Sequence, residues 1–188
     1  MTWGIIIEAR RVDNEEAMRD DVDSFTAVDV ETTGLDARLH RVVEIALVRF
    51  EAGREAGVWS SLVNPGCPIP PEATAVHGIG DRDVAGAPTF LELAPQVGTL
   101  LGGFPPLAYN APFDYGFLAA EMARAGRPVP PLAAWLDPLP LVRARLSYGR
   151  ATLETGCREF GVPLPRAHRA ADDARAAGLL WLRLSRER

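Results

Sequence analysis

The sequence contains no lysine, only two cysteines and no long apolar run, and each shortage excludes a class of protein. Cys67 and Cys157 lack the spacing of a thiolate metal site, so we expect two reduced thiols rather than a disulfide scaffold. No stretch approaches the ~20 apolar residues that a membrane span needs. The chain also lacks the basic start and apolar core of a secretory signal. These absences predict a soluble, cytoplasmic protein with no membrane partner.

Positive charge is unevenly distributed along the chain and is supplied by arginine alone. The net charge of −5 over 188 residues argues against a broad, non-specific coat on nucleic acid. Residues 124–188 nevertheless carry twelve arginines against six acids, whereas residues 1–36 carry three arginines against ten acids. A biased base composition is the simpler account of the missing lysine. Because guanidinium groups suit phosphate oxygens, the C-terminal third could also offer a local phosphate-facing surface.

The hydrophobic pattern divides the chain into a short extension, residues 1–23, and one folded domain, residues 24–188. Three strands are predicted at 25–31, 42–51 and 57–64, and their short connections favour an antiparallel meander. After residue 65, helices alternate with short strands, which is typical of a mixed-sheet α/β domain. The helices are predicted over 89–101, 112–124, 151–160 and 170–183. A short strand is predicted over 107–110, and residues 137–145 are predicted as a strand followed by a helical turn.

Two carboxylates share one face of the first predicted strand. Alternation places Phe25, Ala27, Asp29 and Glu31 on that face, in a strand that otherwise has an internal composition. Like charges in a partly buried place repel each other and lose hydration unless a cation compensates them. An exposed strand end is the simpler interpretation of an isolated pair. Gly34 follows shortly afterwards, where the backbone can turn sharply and approach a ligand.

Two further acids occupy the first turns of predicted helices. At 100° per residue, Asp173 aligns with Ala177 and points toward the core, whereas Asp172 points toward the flank. Asp114 opens the helix that follows a short apolar strand. A favourable interaction with the helix dipole is the simpler account of each acid. His168, five residues before Asp173, is a candidate general base because histidine titrates nearest neutral pH.

Taken together, these segments resemble the motifs of the DEDD superfamily of exonucleases. Residues 28–35 (VDVETTGL) resemble the first motif, residues 110–118 (NAPFDYGFL) the second, and residues 168–174 (HRAADDA) the third. The third motif is that of the DnaQ-like branch, which carries a histidine and includes the proofreading epsilon subunit of bacterial DNA polymerase III. Order and approximate spacing match over residues 25–184, and all four acids and the histidine are present.

The resemblance implies a ribonuclease H-like fold with a five-stranded mixed sheet flanked by helices. The sheet would combine the three-stranded meander, its third strand at one edge, with two further strands. The resemblance also implies 3′–5′ hydrolysis of single-stranded DNA or RNA to nucleoside 5′-monophosphates with two Mg²⁺ or Mn²⁺ ions. By resemblance, Asp29 bridges both ions, and Glu31 and Asp173 complete the coordination of the ion on the side of the nucleophile. Asp114 then supports the other ion, and His168 takes the proton from the attacking water.

The resemblance extends to the residues that would bind the terminal nucleotide. Residues 76–79 (VHGI) resemble the loop that borders the nucleotide site of the family. Leu35 and Phe113 could equally be core residues. Arg166 and Arg169 flank the histidine and could bind phosphates of the substrate. The predicted substrate-binding residues are Thr32, Thr33, Gly34, Leu35, His77, Asn110 and Phe113.

Several alternatives stay open at this point. A catalytically silent nucleic-acid-binding or polymerase-associated module would have the same fold, and some relatives form homodimers. A different phosphodiesterase with only an Asp-x-Glu pair fits the motifs less well. We find no glycine-rich phosphate loop and no serine nucleophile motif. Because few residues follow the last predicted helix, we expect a stand-alone enzyme rather than one with a separate tether to a polymerase.

Overall fold

The computed structural model describes residues 23–147 and 149–186, so nearly all of the predicted N-terminal extension lies outside the described residues. One mixed sheet has the strand order β3-β2-β1-β4. β1 pairs antiparallel with β2 and β2 with β3, whereas β4 lies parallel to β1. The predicted meander with its third strand at the edge is confirmed. The strands are β1 (Phe25–Thr32), β2 (Val42–Glu51), β3 (Arg54–Leu62) and β4 (Pro106–Leu107).

The predicted fifth strand is wrong, since only four strands form in the described residues and a single bridge takes its place. Leu136 forms a parallel bridge with Leu107 of β4 and no longer ladder. Pro138 has no N–H group to continue a ladder. The Asp137 carboxylate instead accepts a hydrogen bond from the Leu139 N–H group at 2.9 Å, where a helix begins. β4 is also shorter than predicted.

Seven α-helices lie within the described residues. The four predicted helices are confirmed with ends that differ by two residues or fewer. The helix at Leu139–Arg145 forms where a helical turn was predicted, whereas the short helices at Pro71–His77 and Asp81–Val84 were not predicted. None of the helices in the part of the chain that the structure describes is long and apolar enough to cross a membrane. The helices are α1 (Pro71–His77), α2 (Asp81–Val84), α3 (Phe90–Leu101), α4 (Ala111–Arg124), α5 (Leu139–Arg145), α6 (Leu153–Phe160) and α7 (Ala170–Ser185).

Helices cover both faces of the sheet and give three layers. On one face, Phe25 stacks on Phe50 with ring centroids 4.9 Å apart, beneath α7. Gly178 permits this close approach, because a Cβ atom there would lie 2.5 Å from the Phe50 ring. On the opposite face, Val28 and Val30 are buried in a core cluster with α3 and α4. The predicted alternation along β1 is therefore confirmed.

The face beneath α7 changes from apolar to acidic along β1 and β2. The register pairs Phe25 with Phe50 at one end and Glu31 with Glu44 at the other. The N-terminus of α7 lies over the acidic end, where the Ala170 N–H group donates to Glu44 Oε2 at 3.2 Å. The fold therefore brings the positive end of a helix dipole to a group of carboxylates.

Candidate active site

Asp29 and Glu31 lie near the carboxyl end of β1 on the face that α7 covers. Glu31 is buried, and Asp29 is partly buried. Val30, between them, points to the opposite core and is buried there. The strand therefore holds both carboxylates beside each other on an internal surface, and not at an exposed strand end.

Asp114 reaches the same place from the first turn of α4. Its carboxylate is only 3% exposed, and its Oδ1 accepts a hydrogen bond from the Val30 N–H group at 3.1 Å. Asn110, just before the helix, has a left-handed backbone with φ of 64°. Asp137, from another part of the chain, caps this helix by accepting the N–H groups of Asn110 and Ala111 at 3.0 and 3.1 Å. The bond to Val30 ties α4 to β1 between the two strand carboxylates.

Asp173 and His168 complete the group from the N-terminus of α7. The His168 N–H group donates to Asp173 Oδ2 at 2.9 Å. Within the described residues, Asp173 Oδ1 is buried and has no hydrogen-bond partner. The His168 side chain is 47% exposed, and its Nε2 lies 3.5 Å from Glu154 Oε1. Glu31, His168 and Asp173 each present one ligand atom, and these three atoms lie within 4.8 Å of one another.

Burial raises the pKa of all four carboxyl groups. The pKa of Glu31 rises to about 8, with repulsion from Asp173 adding to the effect of burial. The pKa of Asp173 rises to about 6, again chiefly through burial. The pKa values of Asp29 and Asp114 lie well above their usual range, and repulsion between these two groups adds to the shift of Asp29. At Glu31 and Asp173 the loss of hydration thus outweighs the opposing effects of Arg169 and His168, respectively.

This donor set fits a hard divalent cation. Carboxylate oxygens are the ligands that Mg²⁺ and Mn²⁺ prefer in proteins. Asp173 has a buried Oδ1 without a hydrogen-bond partner in the described part of the chain, and a carboxylate oxygen of Glu31 lies close to Asp173. The two residues thus supply such oxygens side by side. A cation there would offset the repulsion that raises the carboxyl pKa values.

The predicted nucleotide-binding residues after β1 form a tight turn beside these acids. Thr32 Oγ1 donates to the Gly34 carbonyl oxygen at 2.7 Å, and the Thr33 N–H group donates to the Arg41 carbonyl oxygen at 2.9 Å. Gly34 is required for close packing, because a Cβ atom there would lie 2.5 Å from the His40 ring. Leu35 is 86% exposed, which decides against the interpretation that it is a core residue.

The other three predicted nucleotide-binding residues differ in their surroundings. His77 is buried, its Nδ1 accepts the Ile79 N–H group at 3.0 Å, and its Nε2 has no partner within the described residues. Burial lowers the pKa of His77 below its usual value. Asn110 is exposed. Phe113 is partly buried and lies 5.1 Å from the Phe117 ring, so part of its surface belongs to the core.

Two buried acids near the site were missed as functional candidates. Glu44 in β2 is 4% exposed, faces Glu31 and binds Arg169. Glu121 in α4 binds the Arg41 guanidinium through Nε at 2.6 Å and NH2 at 3.0 Å, which ties α4 to the end of the turn after β1. The sequence did contain a signal for Glu44, because it is an acid within an otherwise apolar strand. Nothing local in the sequence marks Glu121.

We expect the metal-free protein to lose stability as the pH rises from about 5 to about 8. The folded state then holds more protons than the unfolded chain, because the pKa values of Glu31 and Asp173 are raised to about 8 and about 6. Stability falls as those protons leave. Mn²⁺ should restore it, by ~2.7 kcal/mol at a concentration ~100 times its Kd, and more strongly at the higher pH.

Thermal unfolding in EDTA or Mn²⁺ at both pH values measures these effects. Glu31→Gln should flatten the pH dependence of the midpoint, whereas Glu51→Gln, at the exposed end of β2, should leave it unchanged. Midpoints that do not depend on pH or on the cation would contradict the assignment of these acids to one site.

Known proteins resemble this chain over the segments that contain these residues. The epsilon subunit of DNA polymerase III from Treponema pallidum (strain Nichols) is 33% identical over 156 residues, which cover 81% of this chain and 72% of that protein. The PolC-type DNA polymerase III of Clostridium perfringens (strain 13 / Type A) is 30% identical over 82% of this chain, which spans only 11% of the polymerase. The solved structure of Exonuclease X in complex with 5′ overhanging duplex DNA has a TM-score of 0.67 and 27% identity, over 87% of this chain and 92% of that chain.

The family profile described as Exonuclease (RNase_T) matches residues 26–180, which include all four acids and His168. The resemblance read from the three motifs is thereby confirmed at the level of the family. This chain belongs to the Exonuclease (RNase_T) family.

Proposed function

We propose that this chain removes nucleotides from the 3′ end of single-stranded nucleic acid and releases nucleoside 5′-monophosphates. The convergence of Glu31, His168 and Asp173 within 4.8 Å carries this proposal. Asp29 lies two residues before Glu31 on the same face of β1, and Asp114 accepts the N–H group of Val30 between them. Four carboxyl groups and one imidazole, the kinds of group that metal-dependent phosphodiester hydrolysis needs, therefore lie near one end of β1.

Asp29, Glu31, Asp114 and Asp173 would hold two divalent cations, Mg²⁺ or Mn²⁺. When bound, such ions activate water and stabilise charge on the phosphoryl group and the leaving oxygen. The chain supplies oxygen donors from three elements, β1, α4 and α7, so the geometry depends on how these elements pack. The hydrogen bond from the Val30 N–H group orients Asp114 and leaves its second oxygen for a ligand.

His168 would accept the proton of the attacking water. Its side chain is 47% exposed, so the imidazole can reach substrate and then exchange the proton with solvent. The bond from its backbone N–H group to Asp173 holds the residue beside the acids. Histidine can perform this transfer near neutral pH.

The turn of residues 32–35 would bind the terminal nucleotide. Leu35 presents an exposed apolar side chain on which a base can pack, and the buried Thr33 fixes the turn through its bond to Arg41. His77, Asn110 and Phe113 are proposed as the other contacts. The Treponema relative is a DNA polymerase subunit, and Exonuclease X was solved with duplex DNA, which favours DNA over RNA as substrate and a polymerase as a partner.

Oligonucleotide degradation tests this proposal. A 5′-labelled single-stranded DNA and its RNA counterpart should give a ladder that shortens from the 3′ end with Mg²⁺ or Mn²⁺, and no change with EDTA. A 3′-labelled strand should release its label at once as a mononucleotide, which separates 3′–5′ removal from internal cleavage. If the folded protein binds the strand but cleaves neither DNA nor RNA with any cation, the chain is a silent binding module.

A further inference from the structure

The segment that carries His168 is irregular and holds an unusual backbone conformation. Residues 162–169 form neither helix nor strand. His168 itself has φ of 63°, in the left-handed region that residues other than glycine rarely adopt. Such a conformation persists only where surrounding contacts determine it. Two ion pairs, one on each side of His168, provide these contacts.

The first ion pair precedes His168 by two residues. Arg166 Nε donates to Asp172 Oδ2 at 2.8 Å. Asp172 is buried in the first turn of α7, and its other oxygen accepts Arg175 NH1 at 3.1 Å. Arg175 in turn binds Glu55 of β3 at 2.8 Å. The acceptor of the Arg166 guanidinium is therefore held in place by the helix and the sheet.

The second ion pair follows His168 directly. Arg169 NH2 donates to Glu44 Oε1 at 2.9 Å, and Arg169 Nε lies 3.4 Å from Glu44 Oε2. The same Oε2 accepts the Ala170 N–H group. Glu44 is buried near the start of β2, opposite Glu31. The segment is thus attached to α7 on one side of His168 and to the sheet on the other.

Both guanidinium groups are therefore engaged by buried carboxylates of the protein. Removing one partner of such a pair leaves a buried charge without compensation, which is strongly unfavourable. These bonds fix the direction of each guanidinium group, although the side chains of Arg166 and Arg169 are 69% and 45% exposed. We propose that Arg166 and Arg169 are positioning residues, which hold His168 beside Glu31 and Asp173 through Asp172 and Glu44. This inference rests on the proposed role of His168 as a general base.

A double-mutant cycle on the first ion pair tests the inference. Arg166→Gln and Asp172→Asn should each lower kcat about 10- to 100-fold and leave KM for a DNA strand within about twofold, because misplacement of a catalytic group slows the chemical step. The double variant should be no slower than Asp172→Asn alone, since that substitution already removes the contact with Arg166. Arg166→Lys should recover part of the loss. Arg158→Gln, at an exposed position on α6, controls for the removal of one positive charge.

Phosphate binding by Arg166 would give the opposite pattern. Arg166→Gln would then raise KM and weaken its dependence on salt, Asp172→Asn would leave both unchanged, and the effects would add. That result overturns the inference. Should Arg166→Gln fail to fold, Arg169→Gln carries the same test, and an unchanged kcat in that variant overturns the inference.

A measurement without turnover separates this inference from the proposed function. The chain has three histidines, His40, His77 and His168, so ¹³C-labelled imidazole signals can be assigned by single substitutions. Arg166→Gln and Asp172→Asn should broaden or shift the His168 signal and leave that of His40 unchanged. This effect in a protein without nuclease activity would refute the function and support the positioning. An unchanged His168 signal together with an unchanged kcat would refute the positioning alone.

Discussion

Asp29→Asn should abolish hydrolysis and leave the fold intact. The variant keeps the shape of the side chain but removes a charge that, in the proposed function, would help to hold two cations. Loss of the charge stabilisation from those cations amounts to several kcal/mol, so kcat should fall by roughly 10³-fold or more. Single-turnover cleavage of a labelled DNA strand measures the loss. Near-normal turnover would refute the mechanism.

The same substitution has a second expected consequence, which a nonspecific loss of structure would not produce. Burial and repulsion from Asp114 and Asp173 raise the pKa of Asp29, so its ionised form is unfavourable in the metal-free site. The metal-free Asp29→Asn variant should therefore unfold at the same temperature as the wild type or higher. Stabilisation by Mn²⁺ should be largely lost. Glu51→Gln, an exposed acid on β2, should keep both the activity and the response to Mn²⁺.

His168→Ala should lower kcat by about 10²- to 10⁴-fold, the usual contribution of a general base. The side chain is nearly half exposed, so its loss leaves no cavity in the core and should change the unfolding temperature little. Activity at saturating substrate and cation, with thermal unfolding as the check on folding, measures the effect.

The position of His168 permits another role, which the same variant distinguishes. One imidazole nitrogen lies within 4.8 Å of carboxylate oxygens of Glu31 and Asp173, so His168 could bind a cation together with them. Removal of a general base leaves unchanged the cation concentration that gives the half-maximal rate. Removal of a cation ligand raises that concentration. A kcat that recovers at high Mn²⁺ would show that His168 binds the cation and does not accept the proton.

Elements with a continuous apolar pattern were predictable from the sequence. β2 has the bounds that were predicted, and α7 places Asp173 on its buried side as its helical period requires. Periodicity suffices in these cases because each element buries one face along its whole length. Asp172 is also buried, although its position on the helix indicated the flank, because Arg166 and Arg175 compensate its charge there.

Elements that depend on distant partners were not predictable. The bridge at Leu136 replaces a strand because Asp137 turns away to cap α4, a contact across 27 residues. Glu44 is compensated by Arg169, 125 residues further along the chain. Glu121 and Arg41 are 80 residues apart. A local pattern contains no information about such pairs, because their energy comes from burial that only the assembled fold creates.

The sequence by itself determined which chemical groups are available to this exonuclease: four acids and a histidine in a recognisable order, on a strand end and two helix starts. Only the tertiary structure decided that Glu31, His168 and Asp173 lie within 4.8 Å, that the four carboxyl pKa values are raised, and that Arg166 and Arg169 are bound to the protein's own acids. The reason is physical. Residue type and local periodicity are properties of short segments, whereas proximity, desolvation and repulsion arise when β1, α4 and α7 pack together.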